Sequence, residues 1–213
     1  MNVRLASLML LAMAAGAAAK ERGPAGEYRL VGEHDVASGL RLERGGRFQY
    51  FLIAGALDER AEGRWRYAGG LVILTTEPKP VPPRFEALPS ARTETAALSV
   101  AARSPAGEGI AGVDLRIGFD QGPPVESYTQ EDGWSLPAEE KRRPRWIELA
   151  VPMHRLASPR FPIDLAKGNA LAFTLVPNDL GVVDFDGVKV ETAGKALVMH
   201  RWGGKLRYEP VGK

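Results

Sequence analysis

Few side chains in this 213-residue sequence have a type and spacing that could perform chemistry. The three histidines, His34, His154 and His200, lie far apart, and none has the close spacing of zinc or copper ligands. The sequence contains no cysteine, which excludes a thiol nucleophile, and neither Gly-x-Ser-x-Gly nor Ser-x-x-Lys occurs. We therefore predict no catalytic residue, no metal site and no cofactor.

Acidic residues form two weaker patterns. The neighbouring carboxylates Asp58-Glu59 and Glu139-Glu140 fall in polar segments that we predict to be loops, which do not suit acid–base catalysis. Asp184-x-Asp186-Gly187 matches part of a calcium-binding loop, but a predicted strand follows where further ligands would be needed, which favours a plain turn. A hydrolase whose two carboxylates are distant in sequence stays open as an alternative.

The densest run of charge is EEKRRPR at residues 139–145. We interpret its four cations as candidate partner-binding residues, because planar guanidinium groups bind phosphate and carboxylate well. These cations are Lys141, Arg142, Arg143 and Arg145. The alternative interpretation is a solvated loop between two strands.

The elements that would position these residues have the period of β-strands. Leu40-Arg41-Leu42-Glu43 and Phe48-Gln49-Tyr50 alternate apolar and polar side chains, as in a sheet with one buried face. Gly45-Gly46 and Gly69-Gly70 suit hairpin turns, because glycine adopts positive φ without a steric penalty. Residues 26–76 are therefore predicted to form an antiparallel meander.

Prolines interrupt the strand pattern at five positions between residues 77 and 89. Because proline cannot donate to a ladder, we predict an extended connector there. Residues 90–213 again consist of short apolar runs and turns. The predicted fold class is all-β, with a small antiparallel meander or half-barrel and a β-sandwich.

Two segments resemble known families. Residues 107–134 resemble the carboxypeptidase regulatory-like, or prealbumin-like, β-sandwich domains through a Gly-x-Gly-Ile-x-Gly-Val stretch, Thr129 and the turn Glu131-Asp132-Gly133 before Trp134. This resemblance implies a structural or adhesive accessory domain.

Residues 26–76 resemble one half of a lipocalin-like barrel of bacterial envelope lipoproteins. The resemblance lies in Gly46-Arg47-Phe48, Gly63-Arg64-Trp65 and the run from Leu71 to Leu74. If such a barrel encloses a ligand, its candidate pocket-lining residues are Phe48, Tyr50 and Trp65. The chain lacks the lipid-bearing cysteine of that family.

Two arrangements of the C-terminal part stay open. ALVMHRWGGKLRY at residues 196–208 nearly repeats GLRLERGGRFQY at residues 39–50, and each is interpreted as two strands around a Gly-Gly turn. Strands within residues 170–210 either complete the first sheet or belong to a second, consecutive domain.

The first 19 residues predict export. Arg4 precedes an apolar run from Leu5 to about Ala15, and small residues end at Ala19, where we expect cleavage. The run is shorter than the ~20 apolar residues of a spanning helix, so we expect no transmembrane segment. Without cysteine we expect no lipid anchor, and a net charge of +2 with interspersed signs argues against nucleic acid. We expect a periplasmic or secreted protein.

These observations favour an exported, non-catalytic binding or structural module of the bacterial cell envelope, with an envelope protein as its partner. The alternative is a periplasmic, lipocalin-like carrier of a small apolar ligand.

Overall fold

The computed structural model describes residues 23–95 and 97–212. The predicted export signal, residues 1–19, lies outside the described residues. Within them the fold class is all-β, as predicted, and the only helix is a 3₁₀ turn at Pro152–His154. No helix in the described part of the chain is long and apolar enough to span a membrane.

The strands are numbered in chain order. The first five are β1 (Gly26–Val31), β2 (Val36–Leu42), β3 (Arg47–Ala54), β4 (Leu57–Ala68) and β5 (Leu71–Thr76). The next nine are β6 (Arg84–Ala87), β7 (Ser99–Arg103), β8 (Asp114–Phe119), β9 (Val125–Tyr128), β10 (Trp134–Ser135), β11 (Pro144–Val151), β12 (Leu156–Ala157), β13 (Phe161–Pro162) and β14 (Ala170–Val176). The last three are β15 (Asp186–Ala193), β16 (Ala196–Arg201) and β17 (Gly204–Pro210).

Eight strands form a closed antiparallel barrel in the order β1-β17-β16-β15-β5-β4-β3-β2, and β2 pairs with β1 to close it. The meander of residues 26–76 supplies five of these strands, and residues 186–210 supply the other three. The sequence left open whether the strands within residues 170–210 complete the first sheet. The structure places β15, β16 and β17 in that sheet, whereas β14 belongs to the sandwich.

The sandwich is inserted between β5 and β15. One sheet has the order β10-β7-β14-β6, and the other contains β12-β11-β8-β9 with β13 also paired to β11. The segment predicted to be a connector, residues 77–89, contains strand β6. The prolines are compatible with this strand because β6 lies at a sheet edge, where one side of the backbone needs no partner.

Alternation of side chains explains the barrel core. In β3, Phe48, Tyr50 and Leu52 are buried while Phe51 and Ile53 face outward. The barrel and the sandwich each have a separate cluster of buried apolar side chains. The inserted sandwich thus has a hydrophobic core of its own.

The C-terminal hairpin turns one residue earlier than predicted. Its central residues are Trp202 and Gly203, with φ of 51° and 77°, whereas Gly204 begins β17. Arg201 pairs with Gly204 and Met199 with Leu206 across this turn. A tryptophan therefore occupies the left-handed region at the first turn position.

Candidate functional site

The inward side chains of the barrel pack on one another where the sequence suggested a pocket. Phe48 and Tyr50 are 1% and 3% exposed, and their ring centroids lie 6.0 and 5.0 Å from that of Phe185. Trp65 is half-buried against the same cluster, and its Nε1 donates to the Glu43 carbonyl at 2.9 Å. These three candidate pocket residues therefore contribute to the barrel core.

A buried ion pair crosses the barrel interior. Arg201 donates to both carboxylate oxygens of Glu59, at 2.6 and 3.2 Å, and to the Tyr50 hydroxyl at 2.7 Å. The Arg201 and Glu59 side chains are only 10% and 12% exposed. The prediction of a polar loop at Asp58-Glu59 was wrong, because β4 begins at Leu57 and its alternation points Glu59 inward.

Burial sets the protonation of this network. It raises the pKa of Tyr50 and of Tyr208 above the ordinary tyrosine value. Burial would lower the pKa of Arg201, but its hydrogen bonds to Glu59 and Tyr50 outweigh that effect and the pKa is raised. Near neutral pH both tyrosines stay neutral and Arg201 stays charged, so these groups form a fixed structural contact.

The charged loop at residues 139–145 contains four cations, of which one is bound within the loop and three are exposed. Arg142 donates to Glu140 at 2.9 and 2.6 Å and to the Pro123 carbonyl at 2.8 Å, and its guanidinium lies 4.3 Å from the Phe119 ring centroid. These hydrogen bonds lower the pKa of Glu140 to about 2. Arg142 thus holds its own loop together.

Three cations of this loop face solvent: Lys141, Arg143 and Arg145. Within residues 23–95 and 97–212, none of them forms an ion pair. They stay predicted partner-binding residues.

The histidines are not brought together with acidic groups into a larger cluster. His200 lies 3.4 Å from Glu191 on the outer wall of the barrel, whereas His34 is in the turn after β1 and His154 ends the 3₁₀ helix. In the described ranges, no three His, Asp or Glu side chains are arranged to hold a metal ion.

The pattern Asp184-x-Asp186-Gly187 forms a strand entry. Asp184 pairs with Lys79 at 3.7 Å, and Asp186 opens β15 at a bulge where Gly187 has a φ of 67°. The pattern was predicted to be a plain turn, but Asp184 lies just before β15, and Asp186 and Gly187 belong to that strand.

A cluster of exposed polar and aromatic side chains lies on the outer face of the five-stranded sheet that contains β8, β9 and β11. We call it the acidic face, and it comprises Asp114, Arg116, Glu126, Tyr128 and Glu148. Arg116 lies 3.4 Å from Glu126 and 3.5 Å from Glu148, so it bridges β9 and β11. Tyr128 is 57% exposed.

A cleft of about 690 Å³ lies on this face. Three of the residues that line the cleft have small side chains, which leaves space above the sheet: Ala150, Ala157 and Ser158. Further along the face, the Trp146 ring covers Gly118 and lies 4.2 Å from the Arg160 guanidinium. The acidic face is therefore a shallow surface with an aromatic ring and several carboxylates.

Sequence reasoning did not identify the acidic face. The alternation of VDLRIGF and VESY places Asp114 and Arg116 on one face of their strand, and Glu126 and Tyr128 on one face of theirs. Only the pairing of β8 with β9 shows that the two faces are the same.

Comparison of the chain with protein-family models, with curated proteins and with solved structures found no match. The resemblances to prealbumin-like sandwiches and to lipocalin-like barrels therefore stay predictions.

Proposed function

We propose that this protein is an exported, non-catalytic binding module of the bacterial cell envelope that holds an envelope protein. The observation that carries the proposal is the contrast between the packed interior of the barrel and the exposed acidic face of the sandwich. The barrel core is filled by side chains such as Phe48 and Tyr50, while the acidic face is exposed.

The state of the buried ionisable groups supports a non-catalytic role. Tyr50 and Arg201 keep one charge state near neutral pH, because their pKa values are raised from values that are already high. A general acid or base works best with a pKa near the working pH. The Glu59–Arg201 pair is better explained as a fixed contact inside the barrel.

The carrier alternative needs an apolar interior with room for a ligand. Phe48, Tyr50, Phe185 and Tyr208 are each at most 3% exposed and occupy the centre of the barrel core. The binding module is therefore the function that the geometry supports best.

Native mass spectrometry tests this proposal on the mature protein, isolated from its own envelope fraction after mild crosslinking. We expect the chain to appear in a complex with a second polypeptide. A chain that appears alone, or that releases a small molecule on denaturation, would contradict the proposal. The same isolation without crosslinker is the control for association after lysis.

A further inference from the structure

Strand β9 has one free backbone side. It lies at the end of its sheet and pairs with β8 alone among the described strands. The Thr129 N–H donates to the Val113 carbonyl at 2.9 Å, toward β8. The backbone N–H and C=O groups of successive residues point to alternate sides of a strand. Those of Ser127 therefore point toward β8, as the Thr129 N–H does, whereas those of Glu126 and Tyr128 point away from it. This edge can pair with another strand.

The other edges of the sandwich differ from β9 in length or in charge. Strands β10, β12 and β13 have only two residues each. Strands β6 and β9 both have four residues, with no proline within the strand and two prolines directly before it. On β6 the exposed Arg84 and Glu86 pair with each other, so that edge carries no net charge that would select a partner.

The side chains beside this edge are not electrically balanced. Glu126 and Glu148 share Arg116, and Arg160 lies 2.8 Å from Glu148. Asp114 pairs in register with Tyr128, and within the described residues its carboxylate has no ion pair. One negative charge therefore stays uncompensated next to an exposed aromatic ring.

A lysine or arginine side chain complements this arrangement. Placed on an added strand next to Tyr128, its cation would lie near the ring and near the Asp114 carboxylate, and both contacts favour a positive charge. A second copy of this chain fits less well, because pairing two β9 strands brings Glu126 close to its own equivalent, and opposed like charges destabilise a sheet.

We propose that strand β9 binds an extended segment of a partner protein by strand addition, and that Asp114, Glu126 and Tyr128 select a segment that carries lysine or arginine. Backbone hydrogen bonds supply the affinity in this mode, and alternate side chains supply the specificity. The inference names the partner chemistry of the binding module and so rests on the function proposed above.

The first test is an NMR titration of the ¹⁵N-labelled mature chain with two blocked peptides, Thr-Lys-Thr-Lys-Thr-Lys and Thr-Glu-Thr-Glu-Thr-Glu. We expect the lysine peptide to shift the amide signals of residues 125–128 and of Asp114. The glutamate peptide should leave them unchanged. Equal binding of both peptides, or shifts confined to other regions, would overturn the proposal.

Four variants separate the contributions. Glu126→Gln removes only the carboxylate charge, whereas Glu126→Pro also removes an N–H that faces away from β8. Glu126→Pro should keep the native ladder but bind the lysine peptide about tenfold or more weakly than Glu126→Gln does. Asp114→Asn should weaken binding about two- to fivefold, as for an exposed ion pair. Glu86→Gln, on the edge strand β6 of the other sheet, is the matched control and should bind as the parent does. Unchanged binding in both Glu126→Pro and Asp114→Asn rules out this edge.

Two further experiments distinguish failure of this inference from failure of the proposed function. Broadening of the β9 signals that grows with protein concentration without peptide would identify a second copy as the occupant and overturn the proposal. In cells, a photoreactive residue in place of Tyr128 should crosslink to a second polypeptide. A crosslink from position 145 but not from position 128 would overturn this site while leaving the binding module intact, and no crosslink from either position would count against both.

Discussion

At the residue scale, Arg201 is the side chain on which the polar contacts of the barrel interior converge. It binds Glu59 and Tyr50, and its guanidinium also lies 4.3 Å from the ring centroid of Trp202. Removing one partner of a buried ion pair lowers the stability of the protein strongly, because neither water nor another ion stabilises the charge that remains.

Removing one partner of this pair should therefore destabilise the protein more than removing both. We expect Glu59→Leu or Arg201→Met to lower the free energy of unfolding by about 3 kcal/mol each. The double variant Glu59→Leu/Arg201→Met should lose less than either single variant. Urea unfolding followed by tryptophan fluorescence measures all three, and additive losses would show that the two side chains do not interact.

Trp202 combines an unfavourable backbone with favourable stacking. Its φ of 51° is rare for a bulky residue, which costs about 1–3 kcal/mol. Its contacts with the Arg201 and Arg155 guanidinium groups return about 0.5–1 kcal/mol each. We expect Trp202→Asn to raise the free energy of unfolding by about 1 kcal/mol, because asparagine suits this turn position.

Urea midpoints of the parent and of Trp202→Asn measure this change directly. Gly203→Ala is the comparison in the same turn and should destabilise, since Gly203 has a φ of 77°. A loss of stability in Trp202→Asn would mean that the stacking contacts outweigh the backbone strain.

Glu140 gives the protein a predictable response to acid. Its pKa falls from 4.5 to about 2 in the folded chain, because Arg142 bonds to the ionised form. A depressed folded pKa stabilises the protein above the unfolded value, and that contribution disappears as the pH falls from 4.5 toward 2. Compared with Glu140→Gln, the parent should be more stable at pH 6, and the difference should shrink steadily below pH 4.5. Thermal unfolding across this range checks the sign; a difference that does not change with pH would contradict it.

At the element scale, close approach of neighbouring strands depends on particular glycines. A Cβ atom on Gly63 would lie 2.1 Å from the Thr75 carbonyl oxygen and 2.6 Å from the Glu77 nitrogen. These are backbone atoms of β5 and of the connector that leaves the barrel, so no side-chain rotation relieves the overlap. Gly45 has open space around it and no positive φ.

Gly63→Ala should therefore lower the free energy of unfolding by about 2–4 kcal/mol, and Gly45→Ala by less than about 0.5 kcal/mol. Chemical denaturation of the two variants side by side provides the measurement. Equal stability of the two would show that β4 and β5 can separate at low cost.

At the scale of the whole molecule, the barrel is built from both ends of the described chain and the sandwich from its middle. The two connectors meet, because the Val81 N–H donates to the Asp179 carboxylate at 2.8 Å and the Asp179 N–H donates to the Val81 carbonyl at 3.2 Å. The inserted segment thus begins and ends at neighbouring points, as an independent domain can.

We expect residues 78–180 to fold alone, because their core cluster shares no residue with that of the barrel. Dispersed NMR signals and a cooperative thermal transition would demonstrate this. Residues 23–76 alone should not form the barrel, since β1 and β5 would lose β17 and β15 as partners. A disordered 78–180 fragment would show that the sandwich needs the barrel.

The sequence by itself determined the properties that depend on neighbouring residues. The alternation in β3 indicated which side chains face the core, and Gly69-Gly70 marked a turn where both residues have positive φ. Strand period and turn geometry are local, because they follow from the side chains and backbone freedom of a few consecutive residues.

Only the tertiary structure decided which strands are partners. Closure of the barrel by β15, β16 and β17, the contact between Glu59 and Arg201, and the free edge of β9 all depend on pairings between distant segments. Arg142 likewise looked available in the sequence until folding placed Phe119 and Pro123 beside it. Many strands with the same alternation can pair with one another, so the choice among them is made by the packing of the whole core.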